Sequence, residues 1–168
     1  EVINTWDGTT WSDGVAPSGT QSGRLAANYD AAVEGNLYSN VIKISAGVKL
    51  TIDPSSRVYV REELEVEGEV IVNEGGELVL EGIKTGTGPV VINRSVPGAL
   101  AYSMVGSPII GQSLSTINAD FVYGFDGSDY VVPTGDLSSA EGYFMAFTDP
   151  KELQFSGDPV TGDLSYSG

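Results

Sequence analysis

Val41-Ile42-Lys43-Ile44-Ser45-Ala46-Gly47-Val48-Lys49-Leu50-Thr51-Ile52 is followed by Glu63-Leu64-Glu65-Val66-Glu67-Gly68-Glu69-Val70-Ile71-Val72. Laid over each other at an offset of 22 residues, the two stretches superpose Ile42 on Leu64, Ile44 on Val66, Val48 on Val70 and Leu50 on Val72. Val58 then falls on Leu80. Within each stretch apolar and polar residues alternate, which is the period of an extended strand and not of a helix. The same offset sets Lys43 on Glu65 and Tyr59 on Glu81, and opposite charges on neighbouring strands support stacking. A repeat of this length, made of short strands, suits one coil of a parallel β-helix, whose inward residues stack in rows. An antiparallel meander has the same alternation.

Working outward, the apolar runs Val41 to Ile44, Val48 to Ile52, Val58 to Val60, Leu64 to Val66, Val70 to Val72 and Leu78 to Leu80 are punctuated by Gly, Asn and Pro. A further coil is expected through Val90 and Ile92, before Pro97 and Gly98 break the pattern. Beyond Arg94 the strands lengthen: Ala101 to Val105, Phe121 to Phe125, Tyr130 to Val132, Tyr143 to Phe147 and Leu153 to Phe155. Aromatic strands flank Asp126-Gly127, a strong hairpin signal. The expected fold is therefore all-β: a short parallel β-helix (solenoid) over residues 1–93, and an antiparallel β segment over 94–168 packed on it.

Composition narrows function mainly by exclusion. The 168 residues hold no Cys and no His, which removes disulfides, the usual zinc sites, Ser-His-Asp triads and imidazole chemistry. With 23 acidic and 8 basic residues the net charge is −15, unfavourable for binding nucleic acid or anionic lipid. Nine carboxylates and two cations lie between residues 53 and 82. Glu63, Glu65, Glu67 and Glu69 alternate there as a solvated face that would discourage sideways strand addition. No apolar stretch approaches the ~18 residues of a membrane span, so no membrane insertion is expected. Because the sequence starts at Glu1, it is expected to be a mature piece or an excised segment of a secreted protein.

Candidate site residues are few. Trp6 and Trp11 flank Asp7-Gly8, and Tyr123 and Tyr130 flank Asp126-Gly127. If exposed, these four rings could stack on sugars; if buried, the Trp pair would cap the open end of a solenoid. Asp7, Asp13, Asp126 and Asp129, with Asp136, are oxygen donors beside glycines, suited to a structural Ca²⁺ and to no other cofactor. Asp-Gly pairs are equally turn residues. Paired carboxylates for glycoside hydrolysis occur by chance in so acidic a chain, and Lys43, Lys49, Arg57 and Arg61 could serve a lyase only in a cleft that few coils can form. The expectation is that the chain is not an enzyme.

Several blocks together carry a resemblance: Thr5-Trp6-Asp7-Gly8, Trp11-Ser12-Asp13-Gly14-Val15-Ala16-Pro17, Ile44 to Ile52, Gly68 to Leu78, Tyr102-Ser103-Met104-Val105-Gly106-Ser107-Pro108-Ile109-Ile110-Gly111-Gln112, the aromatic hairpin, Glu141-Gly142-Tyr143 and Leu153 to Gly157. In this order they resemble a solenoid-plus-β region of large secreted and cell-surface proteins of Bacteroidetes, exported by the type nine secretion pathway in flavobacteria. The resemblance implies an extracellular or outer-surface location and a place in a multi-modular protein. It implies a non-catalytic structural spacer or adhesin unit, or alternatively a carbohydrate-binding module of a glycan-degrading protein. The implied partner is an extracellular polysaccharide or another surface protein. It brings no catalytic residue with it.

Overall fold

The computed structural model describes residues 3–139 and 141–161. It is nearly all β, with a solenoid of about 4 turns and an antiparallel sheet. The chain divides into two compact units, one up to Val91 and one from Ile92 onward. Among the described residues no helix is long and apolar enough to cross a membrane.

The first unit is built from β1 (Ile3–Trp6), β2 (Ser22–Leu25), β3 (Tyr29–Asp30), the one-turn helix α1 (Ala31–Glu34), β4 (Leu37–Ile44), β5 (Lys49–Ile52), β6 (Arg57–Val66), β7 (Glu69–Val72), β8 (Glu77–Leu80) and β9 (Ile83–Thr85), and ends within β10 (Val90–Val96). Strands β1, β2, β4, β6 and β8 lie side by side, with β9 also on β6, and β3, β5 and β7 form a second parallel row. Inward residues form continuous columns. Trp6, Leu25, Ile44 and Val66 make one, and Tyr29, Leu50 and Val70 another, all buried. A column stabilises because each coil covers the apolar face of the one before it, at roughly 25 cal/mol per Å² of apolar surface removed from water.

The repeat is confirmed with a corrected register. Ile42 stands on Leu64, Ile44 on Val66 and Lys43 on Glu65, as the 22-residue offset requires. Leu50, however, pairs with Val70 and not Val72, and Val58 pairs with Leu78 and not Leu80. Tyr59 likewise stands on Val79, with Glu81 reaching its phenol by a hydrogen bond. The cause is corner length. The corner Ser45 to Val48 of one coil lies under Glu67-Gly68 of the next, so the upper coil is two residues shorter there. Glu67 and Glu69 donate their backbone N–H groups to the Ile44 and Val48 carbonyls across this corner. A Cβ on Gly68 would lie 2.0 Å from the Val48 carbonyl oxygen, so only glycine permits the shortcut. A slip of two residues preserves the inward face, which is why alternation alone could not detect it.

The solenoid begins at Ile3, within the expected residues 1–93 but ahead of the stretches the repeat superposes. Gly23 and the polar Asn4 occupy the column below Ile42 and Leu64, and Trp11 and Pro17 from the connecting loop lie over Gly23 in place of its missing side chain. Asn4 is buried but satisfied: its amide donates to the Val15 carbonyl, and its oxygen accepts from Ser12 and from the Asp13 backbone. The two expected strands Val58 to Val60 and Leu64 to Val66 merge into the single strand β6, then separate again as β8 and β9 in the next coil.

The second unit contains β11 (Ser103–Gly106), the one-turn helix α2 (Leu114–Ile117), β12 (Phe121–Phe125), β13 (Tyr130–Val131), β14 (Gly142–Ala146) and β15 (Lys151–Gly157), the last beside β10. Strands β11, β14, β12 and β13 form an antiparallel sheet in that order. The expected hairpin is β12–β13, closed by a hydrogen bond from the Asp126 N–H to the Asp129 carbonyl, with Gly127 at φ +98°. That φ is in a region side-chain-bearing residues avoid.

Candidate functional site

Strand alternation gives the antiparallel sheet two faces of different character. Tyr143 and Met145 of β14 stand opposite Val105 and Ser103 of β11 and opposite Gly124 and Val122 of β12, and Tyr143, Met145 and Val105 are buried. The other face carries Met104, Phe144, Tyr123, Phe121, Phe125 and Tyr130: Met104 opposes Phe144, Tyr123 opposes Phe144 from the other side, and Phe125 opposes Tyr130. Tyr102, two residues before Met104, brings its ring to 6.5 Å from that of Tyr123. Phe125 and Tyr130 lie 5.4 Å apart, and Tyr130 meets Phe144 edge-on at 5.6 Å. No strand position on this face is charged.

This face is open. Tyr130 is 56% exposed, Tyr102 57% and Met104 70%, while Phe121 and Phe125 are exposed and Tyr123 and Phe144 half-buried. An antiparallel sheet with one face in the core usually presents polar residues on the other. Here aromatics occupy those positions, and an exposed patch of this kind marks a contact surface more often than a scattered Leu or Val does.

The structure separates the four sequence-derived aromatic candidates. Tyr123 and Tyr130 share the open face. Trp6 and Trp11 do not offer a ring to solvent: they are 4% and 7% exposed. Of the two alternatives for the Trp pair, the buried one is found. They pack on each other at 5.7 Å and on Tyr29 at 5.3 and 5.7 Å, as large plugs over the first coil. The Trp6 indole donates to the Asn28 carbonyl and the Tyr29 hydroxyl to that of Gly35. Burial, with the Glu34 charge second, pushes the Tyr29 phenol up to about 12. Sequence reasoning missed Tyr102, Met104, Phe121, Phe125 and Phe144. The signal was present as Phe121-x-Tyr123-x-Phe125, three aromatics of one parity.

The aspartate candidates are turn residues. Asp7 Oδ1 accepts from the Thr9 N–H, the Thr9 hydroxyl and the Thr10 N–H. Asp126 Oδ1 accepts from the Ser128 N–H, the Ser128 hydroxyl and the Asp129 N–H in the same pattern. These backbone donors, Thr10 foremost for Asp7 and Asp129 for Asp126, hold both carboxyls below the ordinary aspartate range. Asp129 accepts from the N–H of Tyr130, Asp136 forms a bridge with Ser113, and the Asp13 backbone is tied to Asn4. Among the described residues no group of three or more carboxylates stands together as a metal site.

The acidic solenoid surface is paired with cations of the adjoining coil. Lys43 binds Glu65 at 2.5 Å, Lys49 binds Glu69 at 2.9 Å, and Arg57 binds Glu77. Among the described residues of this unit are a shallow cleft of about 200 Å³ beside Arg57 and Glu77 and one of about 310 Å³ beside Asp30, Glu34 and Lys49. In both the cation already has a carboxylate partner. No family model, no curated protein and no solved structure matches the chain.

Proposed function

We propose that the chain is a non-catalytic extracellular module of a larger surface protein, in which the solenoid serves as a spacer and the open aromatic face of β11–β14–β12–β13 as an adhesive contact. The single observation that carries this reading is the face itself: seven apolar or aromatic side chains, none charged, left in water on a chain of net charge −15. Ordinary surface selection would place charge there. The absent His and Cys, and the pairing of Lys43, Lys49 and Arg57 with neighbouring carboxylates, support a role without chemistry. The resemblance of the Trp-Asp-Gly opening and the solenoid blocks to type nine-secreted Bacteroidetes surface proteins supports the extracellular location. A second reading, a carbohydrate-binding module attached to a glycan-degrading protein, draws on the same face.

The test is detachment of protein-coated beads under flow from surfaces coated with agarose, cellulose or collagen, together with an assay for released reducing ends. Adhesion to at least one surface, lost in Tyr102→Ala/Tyr130→Ala, with no sugar release, is the expected result. Sugar release, or adhesion that the double variant leaves intact, contradicts the proposal.

A further inference from the structure

We infer that the open aromatic face binds an uncharged polysaccharide, whose pyranose rings stack on Tyr102, Tyr123, Phe125 and Tyr130; this rests on reading that face as the contact surface. No neighbouring pair of these rings is stacked face to face. Tyr102 and Tyr123 are tilted by 49°, Phe125 and Tyr130 by 57°, and Tyr130 stands at 67° to Phe144. Tyr102, Phe125 and Tyr130 are about half exposed, and Tyr123 is half-buried. A tyrosine orders only two torsions on binding, and its hydroxyl supplies a hydrogen bond beside the apolar ring, which suits a ligand with C–H faces rimmed by hydroxyl groups.

Charge and size weigh against anionic polymers and a second copy of the chain. A polyuronate, a sulfated glycan or a nucleic acid would approach a chain of net charge −15 across a face with no cation to receive it. A second copy carries the same −15. Four strands at about 4.8 Å spacing and five residues at about 3.4 Å give a face of roughly 14 by 17 Å, on the order of 240 Å². A stable protein pair covers about 800 Å² on each partner. The face is too small for a dimer and of a size for a few sugar rings.

The experiment is native affinity electrophoresis of the whole chain in gels containing laminarin, xyloglucan or hydroxyethylcellulose, with alginate and polygalacturonate as charged comparators. At least one neutral polymer retards the chain, to the same extent at low and high salt, since no ion pair is made. The polyuronates do not. Tyr102→Ala/Tyr130→Ala weakens retardation by roughly tenfold or more. Tyr130→Phe, which keeps the ring, retains most of it. Tyr38→Ala, at an exposed tyrosine stacked on Tyr59 in the solenoid, changes nothing. Retardation by polyuronates alone, retardation indifferent to the double variant, or none by any of the three neutral polymers overturns the inference. If collagen adhesion survives and still depends on Tyr102 and Tyr130 while no neutral polymer binds, the ligand assignment fails and the adhesive reading stands. Release of sugars from a retained polymer fails the non-catalytic reading instead.

Discussion

Tyr130 of β13 and Phe144 of β14 meet at 5.6 Å although β12 lies between their strands, so their rings bridge over the intervening backbone. They can do so because the nearest β12 residues on that face, Tyr123 and Phe125, flank the crossing and the residue between them, Gly124, belongs to the other face. The result is an aromatic surface tied across three strands. Tyr102, Phe125 and Tyr130 keep about half of their area in water and add little to the core, whereas Tyr123 and Phe144 are half-buried.

Replacing Tyr130 by Ala should therefore cost little stability, about 1 kcal/mol or less, mostly its ring contacts with Phe125 and Phe144. Urea denaturation followed by far-UV circular dichroism measures this. A loss of several kcal/mol would show that the ring is structural.

The opposite holds at the N-terminal plug. Trp6→Ala or Trp11→Ala opens a cavity beside Tyr29 and uncovers the first coil, and each should destabilise by about 3–5 kcal/mol. The same denaturation experiment applies. A change under about 1 kcal/mol would mean the indoles are not part of the core.

The register can be tested chemically, since the chain has no native cysteine. Thr51 and Ile71 are outward-facing partners on β5 and β7. Thr51→Cys/Ile71→Cys should oxidise to an intramolecular disulfide, because adjoining parallel strands lie within the usual backbone span of such a bond. Thr51→Cys/Asn73→Cys, which the 22-residue offset would favour, should stay reduced. The reverse outcome would restore the longer repeat.

Gly68→Ala should destabilise by about 1–3 kcal/mol, because its Cβ would meet the Val48 and Ser45 carbonyl oxygens, which belong to the backbone and have no freedom to swing away. Gly47→Ala is not an adequate control, since its φ of +75° brings strain of its own. Gly106→Ala, with only a 3.5 Å contact, is. Equal melting temperatures for the two variants would contradict the tight corner.

Acid stability should reflect the two turn carboxylates. A carboxyl whose folded pKa lies below its unfolded value of about 3.9 stabilises the fold at any pH above that value, and the contribution is lost as pH falls through the folded pKa. For Asp7 and Asp126 the shift is downward. Asp7→Ala/Asp126→Ala should lower the melting temperature at about pH 7, and the gap from the native chain should narrow as pH falls below the ordinary aspartate range. A gap that does not narrow on acidification would mean the loss is not electrostatic.

How far the sequence could be read followed from what each element hides. Ile42, Ile44, Leu50, Leu64, Val66 and Val70 alternate strictly, and that alternation exposed the solenoid. The first coil fell within the expected solenoid of residues 1–93 but outside the superposed repeat, because one of its inner columns holds Asn4 and Gly23, with the apolar volume supplied by Trp11 and Pro17 from outside the strands. The register was ambiguous by two because both offsets keep the same face inward. Tyr123 and Tyr130 were legible as hairpin flanks. Tyr102, Met104 and Phe144 were not, because their presence on the same face depends on β14 sitting between β11 and β12, an order that no local pattern encodes.

The claim that the charge-free sheet face is the binding surface is tested most directly by backbone-amide NMR during titration with a neutral laminarin or xyloglucan oligosaccharide. At 17.6 kDa the chain gives resolvable spectra. Shift changes should concentrate in Ser103–Gly106, Phe121–Phe125, Tyr130–Val131 and Gly142–Ala146, and should leave the solenoid columns around Leu50 and Val70 unmoved. Changes centred on the clefts beside Lys49 or Arg57, or no changes with either oligosaccharide, would contradict it.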